Sequence, residues 1–102
     1  AIQFMLAEMA TEIDAAHLLC WRAAWLLDHD EPNSVAASMA KVFSGGIAMK
    51  VTTDALQVVG GMGYMRDYPM EKFMRDAKIM QIYEGTAQIQ RLVIARYLVG
   101  FG

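Results

Sequence analysis

No glycine or proline occurs in the first 29 residues, and helix-forming side chains dominate the stretch from Ala1 to about His29. A run of that kind has one regular solution, a long helix. Met9, Ile13, Ala16, Cys20, Ala24 and Leu27 recur three and four residues apart, which sets them along one helical stripe. Phe4, Leu6, Leu18, Leu19, Trp21 and Trp25 spread well beyond that stripe, so the helix is expected to be buried on more than one side. Its first residue carries no capping signal. The chain reads as beginning inside a helix, hence as a fragment.

The polar, proline-containing segment from Asp28 to Ser34 is the clearest break. Asn33 or Ser34 can cap a second helix running to about Val59. That helix is rich in small residues, among them Ala36, Ala37, Ala40, Ser44, Gly45, Gly46 and Ala48. Glycine inside a helix costs about 1 kcal/mol relative to alanine, so Gly45 and Gly46 imply that a backbone or a ligand approaches closely there. Gly60, Gly61 and Gly63 end the helix in a flexible turn, with residues 64–68 as loop. Pro69 suits the first position of a short helix over about Met70 to Lys78. An apolar connector follows from Ile79 to Tyr83, and Thr86 can cap a last helix from Ala87 to about Val99. No strand and no repeat is visible. The fold class expected is all-α, an antiparallel helical bundle that lacks its first helix.

At 102 residues the chain is at most one domain. Hydrophobic residues make up 56% and charged residues 20%, more apolar load than so small an interior hides, so part of the surface is expected to be covered from outside. Charged residues such as Glu8, Glu12 and Asp14 interrupt the first helix before it reaches membrane-spanning length. There is no secretory signal, and the single Cys20 forms no internal disulfide. A net charge of −2 without a basic run argues against nucleic acid as a partner.

Four groups of residues invite a chemical reading. His17 and Cys20 lie one turn apart, but no second ligand pair accompanies them and structural zinc takes four ligands, so no metal site is expected and Cys20 reads as a small core residue. Glu71/Arg75 and Lys72/Asp76 are i,i+4 pairs that support the short helix. Gly61-Met62-Gly63 fails the dinucleotide fingerprint at its third glycine and follows a helix instead of a strand, which leaves a helix cap and turn. Glu84 stands between Tyr83 and Gly85, just ahead of a helix N-terminus, where the dipole alone would favour an acid. Ile82 and Tyr83 also offer it an apolar wall, and Gly85 leaves room for a ligand. A carboxylate desolvated in that way is suited to general-base work.

Taken together, Gln57-Val58-Val59-Gly60-Gly61-Met62-Gly63-Tyr64, Tyr68-Pro69-Met70-Glu71-Lys72, Arg75-Asp76-Ala77-Lys78 and the run from Gln81 through Tyr83-Glu84-Gly85-Thr86 to Arg91 resemble the C-terminal domain of acyl-CoA dehydrogenases. Residues 4–10 and 22–25 extend the likeness over essentially the whole chain. The resemblance implies a fragment, residues 1–102, of a flavoenzyme with a helical domain, a β-domain and a C-terminal four-helix bundle. It implies oxidation of an acyl-CoA to a trans-2-enoyl-CoA with FAD as cofactor. In that reading Glu84 is the base, Tyr83 and Gly85 contact substrate, and Thr86, Ala87 and Gln88 contact FAD. Gln57, Val58, Val59, Gly60 and Gly61 reach FAD shared across a dimer.

The implied partners are an acyl-CoA substrate, an electron-transfer flavoprotein, and further copies of the chain in a homo-oligomer, a dimer of dimers. The compartment would be cytoplasmic in a bacterium and the mitochondrial matrix in a eukaryote. The other domains and the first bundle helix are absent from this sequence. Some branches carry their base on that helix, with a small residue where Glu84 stands, so Glu84 points to the straight-chain type. Alanine at position 87 replaces a frequent serine. An acyl-CoA oxidase, or a helical assembly module without an active site, are the competing expectations.

Overall fold

The computed structural model describes residues 1–100. Its elements are α1 (Ile2–Asp28), α2 (Ser34–Val59), α3 (Gly61–Tyr64), α4 (Met70–Lys78), a 3₁₀ turn (Ile79–Gln81) and α5 (Ala87–Val99). No strand occurs among the described residues, and the all-α expectation holds. The short link between α1 and α2 makes them antiparallel neighbours.

α1 meets α2 through Met9, Ala16 and Ala23, which are buried, with Met5, Glu12, Leu19 and Leu26 half-buried between and beyond them. These positions alternate in steps of four and three, the spacing of a coiled-coil seam. The expected stripe therefore needs correcting. Ile13, Cys20 and Leu27 each lie one residue, about 100° of helix rotation, past a seam position, and all three are exposed. α1 is apolar nearly all round, so periodicity alone did not say which side α2 takes. Nor is α1 buried on a second side among the described residues: Phe4 is 74% exposed and Trp21 64%.

α2 is the hub. α1, α3, α4, the 3₁₀ turn and α5 all pack on it, which is why a helix apolar on every side is stable here. Its buried residues are all small: Ala36, Ser38, Ala40 and Gly45. Gly45 is small for a reason that can be measured. A Cβ there would lie 3.1 Å from the Met80 carbonyl oxygen, so the 3₁₀ turn sits directly on the α2 backbone. Gly46 has no such neighbour; nothing lies within 4 Å of its would-be Cβ. The expectation of close approach holds for the first glycine and is not met within the chain by the second. Lys50 Nζ donates to Glu12 Oε1 at 2.6 Å, tying α2 to α1.

Asn33 occupies the cap position of α2 but its side chain makes no capping bond. Gly60, with φ +79°, ends α2. The glycines after it form the single turn α3 in place of the expected flexible turn, because Gly63 packs where a Cβ would sit 3.0 Å from both Leu56 O and Val59 Cβ. Pro69 stands just before α4, not within its first turn, and its carbonyl accepts from Phe73 N at 3.0 Å. On α4 the Arg75 guanidinium binds Glu71 at 2.6 Å and holds its carboxyl below the ordinary value. Thr86 caps α5 as expected, its Oγ1 accepting from Ile89 N at 3.2 Å.

Candidate functional site

The segment joining the 3₁₀ turn to α5 carries the residues of interest. Ile82 N and Tyr83 N both donate to Ile79 O at 3.0 Å, which curls the chain back on itself. The curl then reverses through two left-handed residues, Glu84 at φ +58° and Gly85 at φ +93°. Gly85 takes that conformation freely, whereas Glu84, an L-residue with a side chain, takes it against steric preference. Such backbone persists where the surroundings over-determine it, and it concentrates at functional sites.

What surrounds it is specific. Lys41, reaching from α2, donates through Nζ to Gly85 O at 2.8 Å and to Met80 O at 3.3 Å. Its ammonium lies 5.7 Å from the Tyr83 ring centroid. Tyr83 Oη donates to Met80 Sδ at 3.3 Å. From the other side, Gln90 Nε2 lies 3.5 Å from Glu84 O and directly beside the Gly85 Cα. A largely apolar cavity of about 320 Å³ opens here, lined by Lys41, Ser44, Gly45, Ala48, Met80, Tyr83 and Glu84. Glu84 and Tyr83 thus face one space, as the sequence suggested. The apolar wall is less complete than expected, since Ile82 is 50% exposed and Glu84 is itself exposed among the described residues.

Thr86, Ala87 and Gln88 line a separate, more polar cleft of about 210 Å³ together with Lys78, Gln81, Ile82 and Arg91. Thr86 satisfies Ile89 N with its side chain and Gln90 N with its carbonyl. The N–H groups of Ala87 and Gln88 are left without an intrahelical acceptor. Two cations and two free amide donors at a helix N-terminus suit an anionic or carbonyl-rich group.

The 57–61 segment lies elsewhere. Gly45 touches the 3₁₀ turn, and Gly60 is fifteen residues further along α2, about 22 Å at the helical rise. Gln57, Val58, Val59, Gly60 and Gly61 are therefore not brought to Thr86, Ala87 and Gln88 within one chain. Gly60 and Gly61 both have open space where a Cβ would stand.

Gly45 was singled out from the sequence as a point of close approach and Ser44 and Ala48 only as small residues, while Lys41 at the cavity and Lys78 and Arg91 at the cleft were given no site role. Lys41 had a signal: a lone cation among the apolar and small residues 35–48 is unusual unless it has partners. Cys20 is exposed instead of buried, with Sγ 3.4 Å from Ser44 Oγ. His17 stacks on Trp21 with ring centroids 5.9 Å apart. Among the described residues there is no cluster of three metal-ligating side chains and no helix long and apolar enough to cross a membrane.

Residues 1–99 match the family model described as the acyl-CoA dehydrogenase C-terminal domain. The cyclohexane-1-carbonyl-CoA dehydrogenase of Geobacter metallireducens is 55% identical over 96% of the chain and 26% of that relative. Among solved structures, a chain in the electron transferring flavoprotein structure of Acidaminococcus fermentans is 56% identical with a TM-score of 0.95, over 97% of this chain and 26% of that one. The butyryl-CoA dehydrogenase of Megasphaera elsdenii is 45% identical with a TM-score of 0.94, over 96% and 26%. The chain spans about a quarter of the length of the relatives it matches.

Proposed function

This chain belongs to the acyl-CoA dehydrogenase family, and we propose that it is the C-terminal helical domain of a flavoenzyme that oxidises acyl-CoA thioesters to trans-2-enoyl-CoA. The observation that carries the reading is Glu84, held in the left-handed region on a curled segment and lining an apolar cavity beside Tyr83. Glu84 takes the proton from the carbon next to the thioester carbonyl. Tyr83 and Gly85 border the acyl group, Tyr83 from the cavity wall and Gly85 from the segment next to Glu84.

FAD is the cofactor of this proposal. The free N–H groups of Ala87 and Gln88, with Lys78 and Arg91 beside them, form a donor set that fits its phosphates or its flavin carbonyls. When bound, FAD supplies the acceptor for the hydride that leaves the neighbouring carbon as the electrons of the C–H bond broken at Glu84 close the double bond. The distance of the 57–61 segment from this cleft supports assigning it to the FAD of a partner copy. The partners proposed are an acyl-CoA, an electron-transfer flavoprotein, and further copies in a homo-oligomer. Phe4, Trp21 and Trp25 on the open side of α1 give that assembly an apolar surface.

The test is Glu84→Gln in the full-length enzyme, which keeps shape and hydrogen bonding but removes the proton acceptor. FAD content and affinity for a non-reactive acyl-CoA analogue stay unchanged, while anaerobic flavin bleaching by a saturated acyl-CoA slows by about 10²–10⁴-fold or more. Bleaching at the parent rate places the base elsewhere.

A further inference from the structure

The Lys41 ammonium bridges the two ends of the segment that carries Tyr83 and Glu84, and from this we infer that Lys41 is a positioning residue for the proton-abstracting carboxylate. The inference rests on the assignment of Glu84 as the base. Lys41 and Gly45 are four residues apart and so share one face of α2. Gly45 lets the Met80 carbonyl come within 3.1 Å of where a Cβ would be. Lys41 then spans from Met80 O, at 3.3 Å, to Gly85 O, at 2.8 Å.

Met80 lies within the curl ahead of Tyr83 and Gly85 follows Glu84, so the two bonds fix where the segment leaves α2 and where it returns. Bonds from an ammonium to carbonyls are stronger than neutral ones. The same cation rests near the face of Tyr83, 5.7 Å from its centroid. Glu84 has no steric preference for φ +58°. Its backbone is held there by what grips the residues on either side, and Lys41 is the grip from α2 as Gln90 is from α5. Without the ammonium, Gly85 can turn freely and the carboxylate loses its aim while remaining a competent base.

The experiment uses the full-length holoenzyme with Lys41→Met and Lys41→Arg, alongside Glu84→Gln. Flavin reduction by a saturated acyl-CoA is followed in single turnover, with FAD content and the Kd of a non-reactive analogue measured in parallel. Lys41→Met is expected to slow reduction at saturation by about 10²-fold, the loss typical of a misplacement near 1 Å, with FAD content and analogue Kd unchanged. Lys41→Arg, which keeps the cation and its donors, recovers most of that rate. Reduction by Lys41→Met within about twofold of the parent overturns the inference. So does loss of FAD from both Lys41 variants, which marks a merely structural lysine, and so does a slow Lys41→Met that arginine does not rescue. Glu84→Gln separates the failures: an inactive Glu84→Gln beside a normal Lys41→Met leaves the base reading standing, while a normal Glu84→Gln removes both.

Discussion

Between α1 and α2 the seam is apolar and regular, with Met9, Ala16 and Ala23 buried at seven-residue spacing along α1. Between Met80 and Thr86 almost nothing is buried, and the chain is shaped by hydrogen bonds from Lys41 and Gln90 and by two left-handed residues. The first region is held by area removed from water, which is non-directional and spread over many residues. The second is held by a few directional contacts, each of which sets the position of a particular atom. The contrast teaches where stability and activity separate: substitutions in the seam should be felt as stability, and substitutions at the curl as lost chemistry.

Of the substitutions that set the two regions against each other, Gly85→Ala in the full-length enzyme should give the largest effect. At φ +93° an alanine is strained by about 1–2 kcal/mol, and its Cβ would stand 2.6 Å from Gln90 Nε2. The loop relieves this by moving, so flavin reduction falls by about 10²-fold with little change in the denaturation midpoint. A large midpoint shift with normal turnover would break the comparison from this side.

Ala23→Leu tests the other side. Extra methylenes in the packed seam cost about 1–3 kcal/mol, read in equilibrium denaturation, while single-turnover flavin reduction in the folded enzyme stays at the parent rate. If reduction slows in step with stability, the two regions are not separable. The smallest effect is expected of Thr86→Ala, which removes the cap on α5 and lowers stability by about 1 kcal/mol. Because Thr86 also borders the cleft, a measured drop in FAD retention beyond that small destabilisation would sharpen the assignment of the α5 N-terminus to the cofactor.

Helix extents, the break at Asp28–Ser34, the Thr86 cap and the α4 ion pairs were legible because each depends on neighbours within a few residues. Glu84 and Tyr83 were legible as a candidate site because a conspicuous acid follows an apolar connector and the surrounding run carries a family likeness. Which face of α1 packs was not, since Ile13 and Glu12 are adjacent and only the partner helix chooses between them. Exposed Cys20 follows from the same ambiguity. Lys41 was missed because its meaning lies in carbonyls 39 and 44 residues away, a separation at which spacing rules are silent. Gly45 and Gly46 look alike in the chain, yet the 3₁₀ turn touches one of them and not the other.

α2 runs without interruption between the lysine that grips the Glu84 segment and the glycine that closes the helix. Mechanically it is a lever. From Lys41 to Gly60 the arm is about 28 Å, so a rotation of one degree about the lysine end displaces the glycine end by about 0.5 Å. A force applied at the 57–61 turn would be delivered as torque at the cavity, and a small displacement there would become a change in the aim of the Glu84 carboxylate.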